Sequence, residues 1–200
     1  MASADEPVAA TLTESPRLVE LASAATLRPI AQGERFAIYD LGVKSYPQAT
    51  LLVQSSVTPI NLGAEMAPLM DTAGLWATIR EHNIPIRQHS PAEVYLYNWV
   101  NDAQGPMVFD VGVVVPDAFD AAPPGLLLRR VGPLKVASLL YVGPFPHETG
   151  TGWHELRWEE RARQAGHKYT ERLYRELYHH FDYASSDNRQ HVVEVQIEIE

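Results

Sequence analysis

The sequence predicts an α+β domain in which two similar βαββ halves form one antiparallel sheet, with helices on one face and a ligand cleft on the other. The first observation behind this prediction is a repeat, because similar segments recur at a spacing of roughly 85 residues. The second is the alternation of apolar and polar residues in HVVEVQIEIE at 191–200, which is typical of a half-buried strand. Two such halves can share one antiparallel sheet.

The composition fits one soluble domain with a real core. The chain has 200 residues, of which 46% are hydrophobic and 20% charged. Residues 1–35 are rich in small and polar residues and are predicted to form an N-terminal tail or extension. The domain proper is predicted over 36–200, with halves at about 36–116 and 126–200. The stretch at 117–130, with paired prolines, is predicted to be a linker.

The first half contains four predicted elements. PQATLLVQSSVTP at 47–59 predicts a strand, and the segment at 62–83 predicts a helix that ends before Pro85. EVYLYNW at 93–99 and FDVGVVVP at 109–116 predict two further strands, because both are rich in aromatic and β-branched residues.

The second half repeats this order. PLKVASLLYVGPF at 133–145 predicts a strand, and the segment at 149–166 a helix whose Gly166 suits a helix end. The next segment is ambiguous, because Leu173 and Leu177 have helical spacing. Its counterpart in the first half reads as a strand, so 175–181 is predicted to be a strand too. The last strand is 191–200.

The alternation along each strand sorts the side chains onto two faces. Val94, Leu96 and Leu177 are predicted to face the helices. The open face is then predicted to carry Glu93, Tyr95, Tyr97, Trp99, Glu176, Tyr178, His180, Glu194, Gln196 and Glu198. Such a face can simply be solvated, but clustered aromatic side chains favour a binding surface.

Several short motifs, YVGPF after a strand, Trp153 at the start of a helix, RELY and the terminal VEVQIEI, resemble the GyrI-like family. This family comprises the effector-binding domains of AraC- and MerR-type regulators and their free-standing relatives, and the resemblance covers roughly 36–200. It implies a small-molecule pocket between the halves, on the helix-free face, with Glu194 on the last strand as the acid that meets the ligand. The ligand-binding residues expected from the match are Tyr95, Tyr97, Trp99, Tyr141, Trp153, Glu176, Tyr178 and Glu194.

The resemblance leaves three functions open. The favoured one is binding of a hydrophobic, aromatic or cationic small molecule in a xenobiotic-response setting. The second is hydrolysis of strained electrophilic natural products such as cyclopropanoids, with Glu194 as catalytic acid or base and burial expected to raise its pKa. The third is a protein-binding inhibitor of a topoisomerase. Glu194 as an ordinary surface carboxylate is the plainer alternative.

Charge and motifs argue against several partners. A net charge of −9 and a pI of about 5.3 disfavour nucleic acid. With no cysteine, no HExxH motif, and His179 and His180 on opposite faces of a strand, neither a metal nor a cofactor is predicted. No apolar run is long enough for a membrane span, and no leader or helix-turn-helix segment precedes the domain, so a cytoplasmic monomer or dimer that is not itself a transcription factor is expected.

Overall fold

The computed structural model describes residues 28–58, 71–87, 93–98, 107–144, 152–180 and 191–200. The elements in chain order are β1 (Ala31–Gln32), β2 (Ala37–Tyr46), β3 (Ala49–Thr58), α1 (Ala73–Glu81), β4 (Glu93–Asn98), β5 (Met107–Val115), β6 (Leu127–Val131), β7 (Leu134–Gly143), a 3₁₀ helix (Trp153–Leu156), α2 (Trp158–Gln164), β8 (Tyr169–His180) and β9 (His191–Ile199).

These strands form one antiparallel sheet in the order β1-β2-β7-β9-β8-β4-β5-β3-β6. The predicted α+β class, the single sheet and the strand at β8 are confirmed. Residues 174–178 pair with both β4 and β9 and do not form a helix. The boundaries predicted between tail, halves and linker stay predictions, and residues 1–27 lie outside the described part of the chain.

The sheet order has an internal two-fold symmetry centred between β4 and β8. With the edge strand β1 left aside, exchanging β2 with β6, β3 with β7, β4 with β8 and β5 with β9 gives the same order read from the other end. The register agrees, because Val94 lies opposite Leu177 while Tyr95 lies opposite Glu176. The symmetry axis therefore passes through the Val94–Leu177 pair, in the middle of the sheet.

The leading strand of each half crosses to the other half. β2 pairs with β7, and β6 pairs with β3. The sequence did not predict these strands, and the end of the predicted linker is strand β6. Leu128 and Val131 of β6 pack on opposite faces of the sheet, against two different apolar clusters, which explains why this short segment is extended.

Both described helices pack on the same face of the sheet. Leu75 and Ile79 of α1 pack with Leu52 and Val113, and Ala162 of α2 packs with Ile197. The predicted helix at 62–83 is described only over Ala73–Glu81 and its flanks. No helix in the described ranges combines the length and the apolar character that crossing a membrane requires.

Candidate functional site

A cluster of carboxylates and aromatic rings lies on the helix-bearing face where β4 meets β8. We name it the central cluster; its members are Glu93, Tyr95, Tyr174, Glu176 and Tyr178, and each is buried. In a strand, residues two apart share a face, so the alternation of the sequence places these side chains in two adjacent rows. The cluster therefore forms on the symmetry axis, between the two helices.

Glu176 is held by two phenol groups from its own strand. The hydroxyl of Tyr174 donates to Oε1 at 2.7 Å, and the hydroxyl of Tyr178 donates to Oε2 at 3.1 Å. The side chain is 4% exposed. Because each phenol belongs to a residue two positions away, the sequence YRELY places both donors beside the carboxylate by strand geometry alone.

Glu93 is the symmetric counterpart of Glu176, and it is anchored to helix α1. Thr72 Oγ1 and Trp76 Nε1 donate to its Oε1 at 2.9 and 2.6 Å, and the hydroxyl of Tyr95 donates to its Oε2 at 2.6 Å. Thr72 and Trp76 are four residues apart at the start of the helix, so they lie one above the other on one side of it. Glu93 thereby ties this end of α1 to the centre of the sheet.

Aromatic rings contact one another within the central cluster. The ring centroids of Tyr95 and Tyr178 lie 4.6 Å apart, and the two rings are tilted by 49° where they meet across the β4–β8 pair. Trp158, which begins α2, lies 4.9 Å from the ring of Tyr174. The central cluster thus combines contacting aromatic rings with the two buried carboxylates of Glu93 and Glu176.

The opposite, helix-free face carries a different acidic centre, the Glu194 network. Lys44 Nζ donates to Glu194 Oε1 at 2.9 Å, and Nε2 of His179 lies 3.2 Å from Oε2. Three further donors converge on Oε1: Tyr46, Ser138 and Gln196. Only 2% of the Glu194 side chain is exposed, whereas Lys44 is 30% exposed.

This environment holds Glu194 in its charged form. Burial by itself would raise the pKa of the carboxyl, but the hydrogen bond to His179 and the charge of Lys44 more than offset burial, and the pKa lies well below its ordinary value of 4.5. The expectation that burial would raise this pKa is therefore wrong. Burial together with the nearby Glu194 raises the pKa of Tyr46, so its phenol stays a donor.

The first half has a simpler counterpart of the Glu194 network. Arg129 Nε donates to Asp110 Oδ2 at 2.9 Å, and Nη2 of the same guanidinium is 3.5 Å from Ser55 Oγ. Asp110 corresponds to Glu194 under the repeat, and Arg129 on β6 corresponds to Lys44 on β2. Each leading strand therefore supplies a cation to an acid on the last strand of the other half.

The structure separates residues that the sequence placed on one face. Tyr95, Glu176, Tyr178 and Tyr141 belong to the helix-bearing face, and Glu194 projects from the other. The predicted faces of β4 and β8 are wrong because both sides of the sheet are buried at the centre. Val94, Leu96 and Leu177 pack in an apolar cluster on the helix-free face, so their apolar character did not indicate which face carries the helices.

The other predicted site residues are Tyr141, Tyr97, Trp99 and Trp153. Tyr141 packs on the same apolar cluster as Tyr95, but its hydroxyl donates to the carbonyl of Pro144 at 2.9 Å. Trp99 and the side chains of Tyr97 and Trp153 lie outside the described part of the structure. Their roles stay predictions.

Several residues of the two centres and their partners were not among the predicted site residues, and Tyr174, Trp76 and Lys44 are examples. Tyr174 could have been found from its position two residues before Glu176 on the same strand. Trp76 and Lys44 could not, because their meetings with Glu93 and Glu194 depend on helix packing and on the crossing of β2. In the described ranges, no group of three or more His, Asp or Glu side chains is arranged to hold a metal ion.

The fold is shared with solved structures. No family model and no curated protein matches the sequence. The C-terminal domain of EcmrR matches with a TM-score of 0.58 at 12% identity, over 82% of this chain and 98% of that one. SAV2435, solved with tetraphenylphosphonium bound, matches with a TM-score of 0.53 at 14% identity, over 79% of this chain and 92% of that one.

The chain has a GyrI-like fold. EcmrR in its complex with DNA also matches, with a TM-score of 0.60 at 10% identity, over 98% of this chain. This chain spans about two-thirds of that protein, since 66% of it is covered. At these identities the likeness establishes the fold alone.

Proposed function

We propose that this protein binds a hydrophobic, aromatic or cationic small molecule at the central cluster, in a xenobiotic-response setting. The observation that carries the proposal is Glu176, a buried carboxylate between phenol rings. A flat cation placed there gains ion pairing with the carboxylate and cation–π attraction from the ring faces. Such attraction is strongest where water is excluded, as it is around this side chain.

The geometry supports exchange of partners at Glu176. The hydroxyls of Tyr174 and Tyr178 are neutral donors, and their O–H bonds can turn away from the carboxylate while the oxygens stay in place. The rings themselves are fixed by contacts with Trp158 and Tyr95, so the stacking surface is built before the ligand arrives. SAV2435, which shares the fold, was solved with tetraphenylphosphonium, a lipophilic cation that carries four aromatic rings.

Glu194 is not part of the proposed site. It is enclosed by protein donors on the other side of the sheet, and its lowered pKa makes it a poor proton donor near neutral pH. The hydrolase alternative depended on this residue as acid or base, and no contact of the described residues favours that role.

Calorimetric titration with tetraphenylphosphonium tests the proposal. Glu176→Gln keeps the shape of the side chain and removes its charge, so affinity should fall by about 1–2 kcal/mol, roughly 5- to 30-fold. Glu160→Gln makes the same change on the exposed side of α2 and should leave affinity unchanged. Equal affinity of the wild type and Glu176→Gln, or binding to neither, would refute the proposed site.

A further inference from the structure

A groove lies between helix α2 and strand β2, and none of the five members of the central cluster lines it. Its helix wall is a stripe of residues spaced three and four apart on one side of α2 and its C-terminal cap: Trp158, Arg161, Ala162 and Ala165. We name it the α2 groove, and its apolar lining is completed from the sheet by Val43, Ala137, Leu139 and Ile197.

A β-bulge brings an acid to the strand wall of this groove. The register between β2 and β7 shifts between Asp40 and Gly42, so Asp40 pairs with Leu139 and Val43 pairs with Ala137. In a regular strand, residues 40 and 43 would point to opposite faces. The extra residue of the bulge places both on the face that packs against α2. Asp40 is exposed, so its carboxylate lies at the mouth of the groove.

Small residues keep the groove open. Ala162 and Ala165 form the helix wall opposite the bulge, and a Cβ added at Gly42 would meet no atom within 4 Å. The groove has a volume of about 70 Å³. This is roughly half of a ~150 Å³ cavity that accepts benzene. The groove therefore fits a branched aliphatic group of about three or four carbons.

Two side chains of opposite charge line the groove without an ion pair between them in the described structure. Arg161 is fixed by two bonds, from Nε to the carbonyl of Leu156 at 2.9 Å and from Nη2 to that of Glu155 at 3.2 Å. These bonds do not use Nη1. Oδ1 of Asp40 accepts from the backbone N–H of Gly42 at 2.8 Å, a bond that does not use Oδ2. A donor on the helix wall and an acceptor on the strand wall are thus left for a ligand.

We propose that the α2 groove binds a free α-amino acid with a short branched apolar side chain, such as valine. The carboxylate of the amino acid bonds to Nη1 of Arg161, its ammonium group bonds to Oδ2 of Asp40, and its side chain packs on Val43 and the apolar lining. A zwitterion satisfies both charged walls, whereas a molecule with one charge satisfies one. This inference goes beyond the proposed function and does not depend on it.

A matched set of probes tests the requirement for two charges. 3-Methylbutanoate is valine without its ammonium group, and isobutylamine is valine without its carboxylate. Calorimetry on the full chain should give at least about fivefold tighter binding of L-valine than of either analogue, the size of one partly exposed ion pair. An analogue that binds as tightly as valine would overturn the inference.

Two variants separate the walls. Asp40→Asn keeps the oxygen that accepts from Gly42, so it should weaken valine and isobutylamine about fivefold and leave 3-methylbutanoate within about twofold. Arg161→Gln should weaken valine and 3-methylbutanoate and spare isobutylamine. Because Arg161 also bonds to the carbonyls of the 3₁₀ helix, thermal melting checks that this variant is folded. Arg163→Gln, on the exposed side of α2, is the matched control and should change none of the three affinities.

A third variant tests the location of the ligand. Ala165 is exposed at the end of α2, so Ala165→Leu fills the groove without disturbing the core and should abolish binding of all three probes at an unchanged melting temperature. Unaltered valine binding in Ala165→Leu, or no valine binding to the wild type, would overturn the inference. None of these outcomes bears on tetraphenylphosphonium, so the proposed function is tested separately.

Discussion

Buried carboxylates on the two faces of the sheet have different hydrogen-bond partners. On the helix-bearing face, the donors to Glu93 and Glu176 include hydroxyl groups and an indole N–H. On the helix-free face, Glu194 and Asp110 each accept from the cationic side chain of a crossing strand, Lys44 or Arg129 in the respective half.

This difference indicates a division of roles. A carboxylate that is ion-paired with its own chain has its charge compensated on folding, so removing one partner destabilises the fold and the pair has little to offer a ligand. A carboxylate held by phenols can exchange those neutral donors for a cation. The ion pairs of the helix-free face therefore join the halves, and the proposed function assigns ligand binding to the helix-bearing face.

The largest expected effect comes from removing the charge of Glu194. Glu194→Gln leaves Lys44 and His179 facing a neutral amide, so the free energy of unfolding should fall by about 3 kcal/mol, near the lower end for breaking a buried pair because Lys44 is partly exposed. Urea denaturation measures this loss. Affinity for tetraphenylphosphonium in the variant that remains folded should match that of the wild type.

Glu198→Gln is the matched control for that experiment. It lies on the same strand and bonds to Thr170 at a partly buried position, so its loss should stay below about 1 kcal/mol. A fall in ligand affinity for Glu194→Gln at unchanged stability would reverse the roles of the two faces.

Asp110→Asn should cost less than Glu194→Gln. Asp110 is fully buried, but Arg129 is 40% exposed, and Oδ1 of Asp110 has no hydrogen-bond partner among the described residues. We expect a loss of about 1–2 kcal/mol in the free energy of unfolding, measured in urea. A loss larger than that of Glu194→Gln would show that the two halves are not joined in the way their contacts indicate.

The pH dependence of stability sharpens the comparison. The pKa of Glu194 is lower in the folded state than its ordinary value of 4.5, so the unfolded chain binds more protons in acid. The stabilisation is complete above about pH 4.5 and is lost as pH falls below it, by about 1.4 kcal/mol at pH 3.5. Between neutral pH and pH 3.5, the difference in unfolding free energy between wild type and Glu194→Gln should fall by about 1.4 kcal/mol. A difference that does not change with pH would contradict the lowered pKa of Glu194.

The smallest effect is expected at the central cluster. Tyr178→Phe removes the hydroxyl that donates to Glu176 at 3.1 Å and keeps the ring beside Tyr95. The free energy of unfolding should fall by about 1 kcal/mol or less, and affinity for tetraphenylphosphonium should stay within about threefold, because the stacking surface remains. Loss of binding in Tyr178→Phe would mean that the hydroxyl, not the ring, contacts the ligand.

Much of the candidate site was visible in the sequence. The row of Tyr174, Glu176 and Tyr178 follows from the period of a strand, and the repeat identifies Glu93 and Tyr95 as their counterparts. The grouping of Glu194 with these residues was wrong, because a pattern of alternation gives two faces for each strand without saying which face of one strand continues onto the next. That continuity depends on register, which the chain sets only when the strands pair.

The sequence by itself determined the duplicated halves, the antiparallel sheet and the strand at β8, because strand periodicity and repetition are properties of short segments. Only the tertiary structure decided which face carries the helices, since Val94, Leu96 and Leu177 are buried on one face and Tyr95 and Tyr178 on the other. It also decided that β2 and β6 cross between the halves and bring Lys44 to Glu194 and Arg129 to Asp110. Such meetings join residues far apart along the chain, and they exist only once the strands have paired in one register.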